Sequence, residues 1–261
     1  MESVRAVLVD IDGVLTVSWQ PLPGAVEALR AVRDAGLGVV LVTNTTSRSR
    51  ASLAGSLAER GFPVTAEDVL TAPAAAAVQL AGARVALLNS GDIRADLEGI
   101  TLVGDSGSDD DVPDVVLLGG AGPEFGYEAL NRAFGRLQRG ARLVAMHRNL
   151  YWRTDEGLQL DAGAFLAGLE AAAGVEAEVT GKPSRAFFEA ALGRLGVSAE
   201  QALMIGDDVE YDVLAAQRLG ITGVLVRTGK FLPQTLERAS GRPDHVLDSF
   251  ADLPALLGLA Q

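Results

Sequence analysis

Four apolar residues near the N-terminus, Ala-Val-Leu-Val at positions 6–9, are followed by Asp10, Asp12 and Gly13. An uninterrupted apolar run of this length predicts a buried β-strand, and the two aspartates and the glycine mark the place where it ends. Side chains two residues apart on an extended backbone point the same way, so both carboxylates are expected at one edge of a sheet. Two neighbouring negative charges are unfavourable unless a cation or a shared proton compensates them. The pattern indicates a site at a strand end, although a plain turn uses the same residue types.

A second apolar run, at positions 37–42, is closed by the polar string Thr43-Asn44-Thr45. A helical pattern at positions 25–35 lies between the two runs, and a glycine ends it in the manner of a helix C-cap. Strand, helix and strand in this order predict a parallel crossover, which brings both strand ends to the same edge of a sheet. A further helix is predicted over residues 48–60, and the hydroxyls and free N–H groups at its start favour an anion. A simple Ser/Thr helix cap is the alternative interpretation.

The alternation of strands and helices continues to the C-terminus and predicts an α/β fold with a doubly wound parallel sheet. Residues 73–179 have strand and helix patterns of their own and are numerous enough to bury a separate core. We therefore expect a core domain formed by residues 1–72 and 180–261, with residues 73–179 inserted as a second α/β domain. An acidic run at positions 109–111 is expected to be a solvated loop.

The composition excludes several classes of site and partner. The chain has no cysteine, which excludes disulfides, thiolate catalysis and cysteine-bound zinc, and its two histidines argue against a histidine-rich metal site. The formal net charge of −12 disfavours nucleic acid and anionic membranes as partners. No apolar stretch reaches the length of about 18 residues that a membrane-spanning helix needs. No leader-like segment precedes the first strand, so a cytoplasmic protein is expected.

Polar residues also mark the ends of elements in the last third of the chain. Lys182 precedes a proline and a predicted helix, and Asp207, Asp208 and Asp212 follow the next apolar strand. A doubly wound sheet would bring these residues to the same edge as Asp10. Carboxylate oxygens suit Mg²⁺, and a divalent cation together with a lysine can hold a phosphoryl group while a carboxylate attacks it. The sequence therefore predicts a magnesium-dependent phosphoryl-transfer site.

These strings resemble the four motifs of the haloacid dehalogenase superfamily of phosphohydrolases. They are Asp10-Ile-Asp12-Gly13-Val-Leu, Leu41-Val-Thr43-Asn44, Gly181-Lys182-Pro183-Ser184 and Met204-Ile-Gly206-Asp207-Asp208. Each string is common by itself, but four in the right order are specific. The segment between the second and third motifs resembles the large α/β cap of the C2-type, NagD-like members. The strings around Lys182 and at positions 226–231 are similar to the phospholysine phosphohistidine inorganic pyrophosphate phosphatase group.

The resemblance implies a role for each aspartate. Asp10 would be the nucleophile that becomes phosphorylated, and Asp12 would protonate the leaving oxygen and then activate water. Members of the group named above often carry serine at this position, so Asp12 departs from their pattern. Mg²⁺ would be held by the carboxylate of Asp10, the backbone carbonyl of Asp12 and Asp207, with Asp208 acting through a water. Asp212 would hold the motif lysine or a metal-bound water.

The resemblance also implies a set of substrate-binding residues. Lys182 and Thr43 would bind the phosphoryl oxygens, and Asn44 and Thr45 would complete that contact surface. Arg148, which follows a predicted strand of the inserted domain, either holds an anionic leaving group or lies in a surface loop.

The function predicted from these residues is hydrolysis of a small phosphorylated metabolite through an aspartyl-phosphate. A phosphomutase or another phosphotransferase on the same core is the alternative, and a non-catalytic phosphate-binding module is a third possibility. A homodimer through the inserted domain is expected from the resemblance alone. The string Thr228-Gly-Lys230 carries no predicted function, because it lacks the upstream glycine and the following Ser/Thr of a P-loop.

Overall fold

The computed structural model describes residues 3–104, 112–154 and 157–259, so the acidic run at 109–111 lies outside the described residues. The chain forms two compact units. The first consists of Met1–Thr43, Arg50–Leu70 and Lys182–Gln261, and the second of Asn44–Ser49 and Thr71–Gly181. Residues 73–179, the expected insertion, lie within the second unit.

The strands and helices alternate along most of the chain. The strands are β1 (Ala6–Asp10), β2 (Thr16–Val17), β3 (Gln20–Pro21), β4 (Gly38–Thr43), β5 (Val69–Thr71), β6 (Arg84–Leu88), β7 (Thr101–Leu102), β8 (Val115–Leu118), β9 (Arg142–Ala145), β10 (Tyr151–Thr154), β11 (Gly157–Leu160), β12 (Glu178–Val179), β13 (Ala202–Gly206), β14 (Thr222–Val226) and β15 (His245–Leu247). The helices are α1 (Ala25–Asp34), α2 (Arg50–Ala58), α3 (Ala72–Gln79), α4 (Tyr127–Gln138), α5 (Ala162–Ala173), α6 (Arg185–Leu195), α7 (Ala215–Gln217), α8 (Pro233–Arg238) and α9 (Leu253–Leu257), with a π-helical turn at Val209–Leu214 before α7.

A six-stranded sheet in the order β15-β14-β13-β1-β4-β5 is the framework of the first unit. The strands from β15 to β4 pair in parallel. In β1, Val7 and Val9 face a core that includes residues of α1 and α2, while Ala6 and Leu8 point to the opposite face and are equally buried. Because both faces of β1 are covered, this strand is fixed rigidly at the centre of the sheet.

The second unit has its own parallel sheet, in the order β12-β9-β8-β6-β7. Alternate residues of β8 face different helices. Val116 and Leu118 pack in a cluster with α4 and α5, and Val115 and Leu117 pack in a cluster with α3. The unit is therefore a three-layer α/β structure, and the expected α/β fold with a doubly wound core is confirmed for the chain.

Most predicted elements are present within a residue or two of their expected ends. The helix predicted over residues 25–35 spans Ala25–Asp34, and the helix at Arg185–Leu195 has the predicted bounds. The helix predicted to begin at residue 48 instead begins at Arg50. Arg48 forms an isolated parallel bridge with Asp92, and this pairing keeps the backbone before residue 50 out of the helix. No helix among the described residues is long and apolar enough to cross a membrane.

Candidate active site

Asp10 is the last residue of β1 and lies at the carboxyl edge of the first unit's sheet. Its strand lies between β13 and β4, and the residue is only 4% exposed. Ligands of open α/β sheets bind at this edge, where the loops that follow the strands diverge. A carboxylate taken out of water at such a place requires a cation or hydrogen-bond donors.

Lys182 supplies the first positive charge beside this carboxylate. Its Nζ donates to Asp10 Oδ1 at 2.7 Å and forms an ion pair with Asp212 Oδ1 at 2.7 Å, and all three residues are buried. Burial lowers the pKa of Lys182, but the charges of Asp10 and Asp212 outweigh it and raise the pKa above its ordinary value. The lysine is therefore held charged at Asp10, and the contact expected between Asp212 and the motif lysine is present.

Asp207 completes a cluster of three buried carboxylates at the ends of β1 and β13. One carboxylate oxygen each from Asp10, Asp207 and Asp212 lie within 4.8 Å of one another. Oδ2 of Asp207 accepts from the backbone N–H of Lys230 at 2.7 Å. Oδ1 of Asp207 is buried and has no hydrogen-bond partner in the part of the chain that the structure describes. A buried oxygen without a donor, on a residue clustered with two further carboxylates, is the arrangement expected of a ligand to a hard cation.

The pKa values of Asp10 and Asp207 reflect their burial and their neighbours. Burial raises the pKa of Asp10 above its ordinary value, and this effect exceeds the lowering by Lys182. Burial also raises the pKa of Asp207 to about 6, against the lowering by Lys230. The neighbouring charge of Asp212 raises both pKa values further. The donor set and its charge therefore fit a divalent cation with oxygen ligands.

Two glycines hold Asp207 in place. Gly13 and Gly229 have φ angles of +84° and +62°, and a Cβ on either residue would overlap the Asp207 carboxylate. A Cβ on Gly229 would also lie 2.5 Å from the Cα of Gly13. The hydroxyl of Thr228 donates to the carbonyl of Gly13 at 2.5 Å and fastens the two loops together. The carboxylate is thus packed between two backbones that only glycine allows to approach this closely.

The segment at residues 228–230 is the part of the site that sequence reasoning missed. It lacks the P-loop pattern, but it follows β14, which is adjacent to β13 in the sheet. The signal that could have found it is positional: a Thr-Gly-Lys string after a buried strand lies at the same carboxyl edge as Asp10.

Asp12 lies two positions after Asp10 in the sequence, and Thr43 lies at the end of the neighbouring strand. Thr43 ends β4, which pairs with β1, and it is 2% exposed. Asp12 lies two residues beyond the end of β1, in an isolated bridge with Thr16, and is exposed. The strand ends before Asp12, so the alternation of an extended strand does not determine the direction of its side chain. An exposed acid beside a buried one is consistent with different roles for the two carboxyl groups.

Asp208 is turned towards the helix that follows it. Its Oδ1 accepts from the N–H groups of Glu210 at 3.1 Å and of Tyr211 at 2.9 Å and caps the π-helical turn. Asp208 is not a member of the carboxylate cluster among the described residues. Its predicted contact with a metal through water stays a prediction without a direct contact to support it.

Asn44 and Thr45 belong to the second unit and are half-buried. The Oδ1 of Asn44 lies beside the backbone of Gly181, where a Cβ would come within 2.6 Å of it. The following residue, Thr46, accepts through its carbonyl from Asn89 Nδ2 at 3.0 Å. The substrate-binding roles expected of Asn44 and Thr45 stay predictions.

Arg148 has well-defined partners inside the second unit. Its guanidinium donates to Glu170 through NH1 at 3.0 Å and through NH2 at 2.6 Å, and NH2 also donates to the carbonyl of Ala177 at 3.1 Å. The arrangement ties the end of β9 to the end of α5. These contacts favour the structural alternative over the leaving-group role that the resemblance implied.

Two family models match the chain: a haloacid dehalogenase-like hydrolase model at residues 7–102 and a HAD-hydrolase-like model at residues 179–253. Human phospholysine phosphohistidine inorganic pyrophosphate phosphatase is 38% identical over 266 aligned residues, which cover 98% of this chain and 95% of that protein. The chain therefore belongs to the haloacid dehalogenase-like hydrolases. The predicted resemblance to that superfamily and to this group of phosphatases is confirmed.

Solved structures share the whole fold. The p-nitrophenyl phosphatase from Archaeoglobus fulgidus superposes with a TM-score of 0.89 at 28% identity, covering 97% of this chain and 99% of that chain. The glycerol phosphate phosphatase from Mycobacterium tuberculosis, solved in complex with magnesium, has a TM-score of 0.86 at 30% identity, covering 96% of this chain and 76% of that chain. The named activities of these relatives are phosphatase activities, so this chain is an enzyme of the hydrolase class.

Proposed function

We propose that this protein is a magnesium-dependent phosphatase that hydrolyses a small phosphorylated metabolite through a phosphorylated Asp10. The observation that carries the proposal is the buried cluster of Asp10, Asp207 and Asp212 around a single bridging lysine, Lys182. This cluster has a carboxylate at a strand end, a fixed ammonium group beside it and oxygen ligands for a cation. Those are the parts that phosphoryl transfer to a carboxylate needs.

The cation is assigned to the side of the cluster where Asp207 Oδ1 has no hydrogen-bond partner within the described chain. Asp10 and Asp207 would hold it through their carboxylates, with the backbone carbonyl of Asp12 as the ligand that the family resemblance implies. When bound, Mg²⁺ would offset the charge of the carboxylates and of the phosphoryl oxygens.

Asp10 acts first. Oδ1 of Asp10 is hydrogen-bonded to Lys182, which leaves Oδ2 to attack phosphorus. A bond forms between this oxygen and phosphorus while the bond from phosphorus to the leaving oxygen breaks. Asp12 gives its proton to that oxygen and then takes one from a water molecule. The oxygen of this water attacks phosphorus, and the bond between phosphorus and Asp10 Oδ2 breaks. Phosphate is released and both carboxylates return to their first state.

Lys182 and Thr43 are proposed to position the phosphoryl group. Lys182 is kept charged by Asp10 and Asp212, so it presents donors to phosphoryl oxygens without a change of protonation. The Thr43 hydroxyl is carried to the same edge by β4. Both groups are buried, so their direction is set before the substrate arrives.

The substrate class is proposed from the names of the relatives. Phosphate monoesters, phosphoramidates and inorganic pyrophosphate are the compounds to test, because the relatives are named for p-nitrophenyl phosphate, glycerol phosphate, phospholysine, phosphohistidine and pyrophosphate. A phosphomutase or phosphotransferase on the same core remains the second candidate, because every proposed step up to the phosphorylated Asp10 is common to these reactions.

Replacement of Asp10 by asparagine is the most direct test. The wild-type protein is expected to release p-nitrophenol from p-nitrophenyl phosphate with Mg²⁺ and to lose this activity with EDTA. The variant D10N should have no measurable activity, because the amide oxygen is a poor nucleophile. D34N, which changes an exposed aspartate of α1, is the matched control and should behave as wild type. Full activity of D10N would rule out Asp10 as the nucleophile.

The protein is further proposed to be a cytoplasmic homodimer. The apolar residues Leu150, Tyr151 and Leu160 at the β10–β11 hairpin are 56%, 60% and 65% exposed and support an interface on the second unit. Light scattering should give the mass of two chains, and a monomer mass at micromolar concentration would refute the dimer. Cell fractionation tests the location.

A further inference from the structure

The chain contains only two lysines, Lys182 and Lys230, among 22 basic residues, and the other 20 are arginines. Lys182 is bonded to Asp10 and Asp212, and the backbone of Lys230 is bonded to Asp207. Both lysines therefore lie at the one cluster of buried carboxylates found in the described chain. Lys182 has a role in the proposed mechanism, whereas Lys230 does not.

The backbone of Lys230 is fixed on both sides. On one side, Thr228 and Gly229 are fastened to Gly13 by the hydrogen bond and close packing described above. On the other side, Phe231 packs against the cluster of Val209, Val213, Leu214 and Leu225. The N–H of Lys230 itself donates to Asp207 Oδ2 at 2.7 Å. The backbone of Lys230 is thus within hydrogen-bond distance of the proposed cation ligand, and the residue is exposed.

The ammonium group of Lys230 forms no ion pair within the described part of the chain. Among the described residues no carboxylate oxygen lies within 4.0 Å of its Nζ. An exposed lysine is charged at neutral pH, so this ammonium group keeps its donors available next to the loop that contacts Asp207.

The charge balance of the loaded site requires another cation. Three carboxylates, one lysine and one divalent cation are together neutral, so a bound phosphoryl dianion would leave two uncompensated negative charges at the carboxyl edge. Lys230 supplies a positive charge next to Asp207 that can offset one of them. We propose that Lys230 is a substrate-binding residue whose ammonium group contacts the anionic oxygens of the phosphoryl group. The inference rests on the proposed phosphatase function and adds a residue to it.

Steady-state kinetics of K230M test the contact. With p-nitrophenyl phosphate and Mg²⁺, its KM and its inhibition constant for inorganic phosphate should rise about ten- to a hundredfold, the range for loss of a charged hydrogen bond. The kcat should change less than KM. K230R should recover much of the affinity, because it restores the charge. R227M is the matched control, since Arg227 lies three positions earlier and pairs with Asp248 at 2.6 Å; it should resemble wild type.

Acetylation of the wild-type protein tests the same contact without a mutation. A limiting amount of an amine-acetylating reagent should modify Lys230 and the N-terminus, while the buried Lys182 stays unmodified. Saturating inorganic phosphate with Mg²⁺ should slow acetylation of Lys230, measured by peptide mass spectrometry, and leave the N-terminal rate unchanged. Equal rates at Lys230 with and without phosphate would overturn the proposal, as would an unchanged KM and phosphate inhibition constant in a folded K230M.

The two proposals fail in different ways. Absence of Mg²⁺-dependent phosphatase activity in the wild-type protein would remove the proposed function. Wild-type activity together with unchanged phosphate affinity in K230M would remove only the role of Lys230. A lower melting temperature of K230M without any change in phosphate affinity would assign Lys230 to stabilisation of the carboxylates instead.

Discussion

The carboxyl edges of the two parallel sheets have the same architecture but carry different chemistry. In the first unit, β1 ends in Asp10 and β13 is followed by Asp207, both buried. In the second unit, β6 is followed by Asn89, whose Oδ1 accepts at 2.8 Å from the N–H of Gly120, the second residue after the end of β8. At the first edge three carboxylates are clustered, whereas at the second the buried Asp161 is a single carboxylate that accepts from the N–H groups of Ala121 and Ala162.

Two partly buried charged residues of the second unit, Arg148 and Glu170, neutralise each other. Arg148 pairs with Glu170 through two hydrogen bonds, and Glu170 Oε1 also accepts from the N–H of Ala177 at 2.7 Å. In the first unit, by contrast, two of the three clustered carboxylates share one lysine, and Asp207 Oδ1 has no partner within the described residues. Topology indicates where a ligand could bind, but an unbalanced charge distinguishes an edge built for a ligand from one built for stability.

Gly13→Ala is the substitution expected to disturb the charged edge most. The new Cβ would overlap the Asp207 carboxylate and lie 2.9 Å from the Cα of Gly229. Displacement of a site group by about 1 Å can cost about a hundredfold in rate, so Mg²⁺-dependent phosphatase activity should fall by at least about that factor. Kinetics with p-nitrophenyl phosphate and isothermal titration with Mg²⁺ measure the two effects.

Gly36→Ala is a control that has the backbone strain of Gly13→Ala without the overlap with Asp207. Gly36 has a φ of +78°, close to that of Gly13, but nothing lies within 4 Å of a Cβ placed there. It should lose about 1 kcal/mol of stability from the left-handed backbone alone and keep full activity. Equal activity losses in both variants would show that the contact with Asp207 has no special importance.

Glu170→Gln is expected to have a smaller effect and to change stability rather than catalysis. The hydrogen bonds from Arg148 lower the pKa of Glu170, against burial, and the N–H of Ala177 lowers it further. A pKa below the unfolded value of about 4.3 means that the carboxylate stabilises the fold above that pH and loses this effect as pH falls through the folded pKa. The variant should lose about 1 kcal/mol at pH 7, and the deficit should narrow below about pH 4.3.

Urea unfolding of wild type and E170Q across this pH range checks the sign of the effect. Arg148→Gln should show the same loss of stability at pH 7 with unchanged kcat and KM. A raised KM in R148Q would return Arg148 to the leaving-group role that the family resemblance suggested.

The strands and helices with long hydrophobic patterns can be predicted from the sequence. Buried runs such as 6–9 and 202–205 lie in β1 and β13, and the alternation of the chain gave the layer architecture. The short strands β2, β3, β10 and β11 were not predicted, because hairpins of two to four residues per strand have too few positions to show a period.

Within the site, the motif residues were predictable, but their partners depended on contacts far apart in the chain. Asp208 is recognisable from its motif, yet whether it faces a cation or caps a helix is decided by the turn that follows it. Thr228 contacts Gly13, which is 215 positions away, and no local pattern indicates that meeting. Distant backbone approaches of this kind are fixed by tertiary packing and not by local propensity.

The boundary between the two units has a consequence for recombining this fold with others. It passes between Thr43 and Asn44 and again between Gly181 and Lys182, so it divides two of the four motifs between neighbouring residues. In this protein the Asn44–Ser49 segment contacts Asn89 and Asp92. In a chimera that takes only Thr71–Gly181 from a donor, the host's own segment would meet the donor's residues at those two positions. The transferable module is therefore discontinuous, and transfer of the intact second unit to a relative would require both pieces to move together.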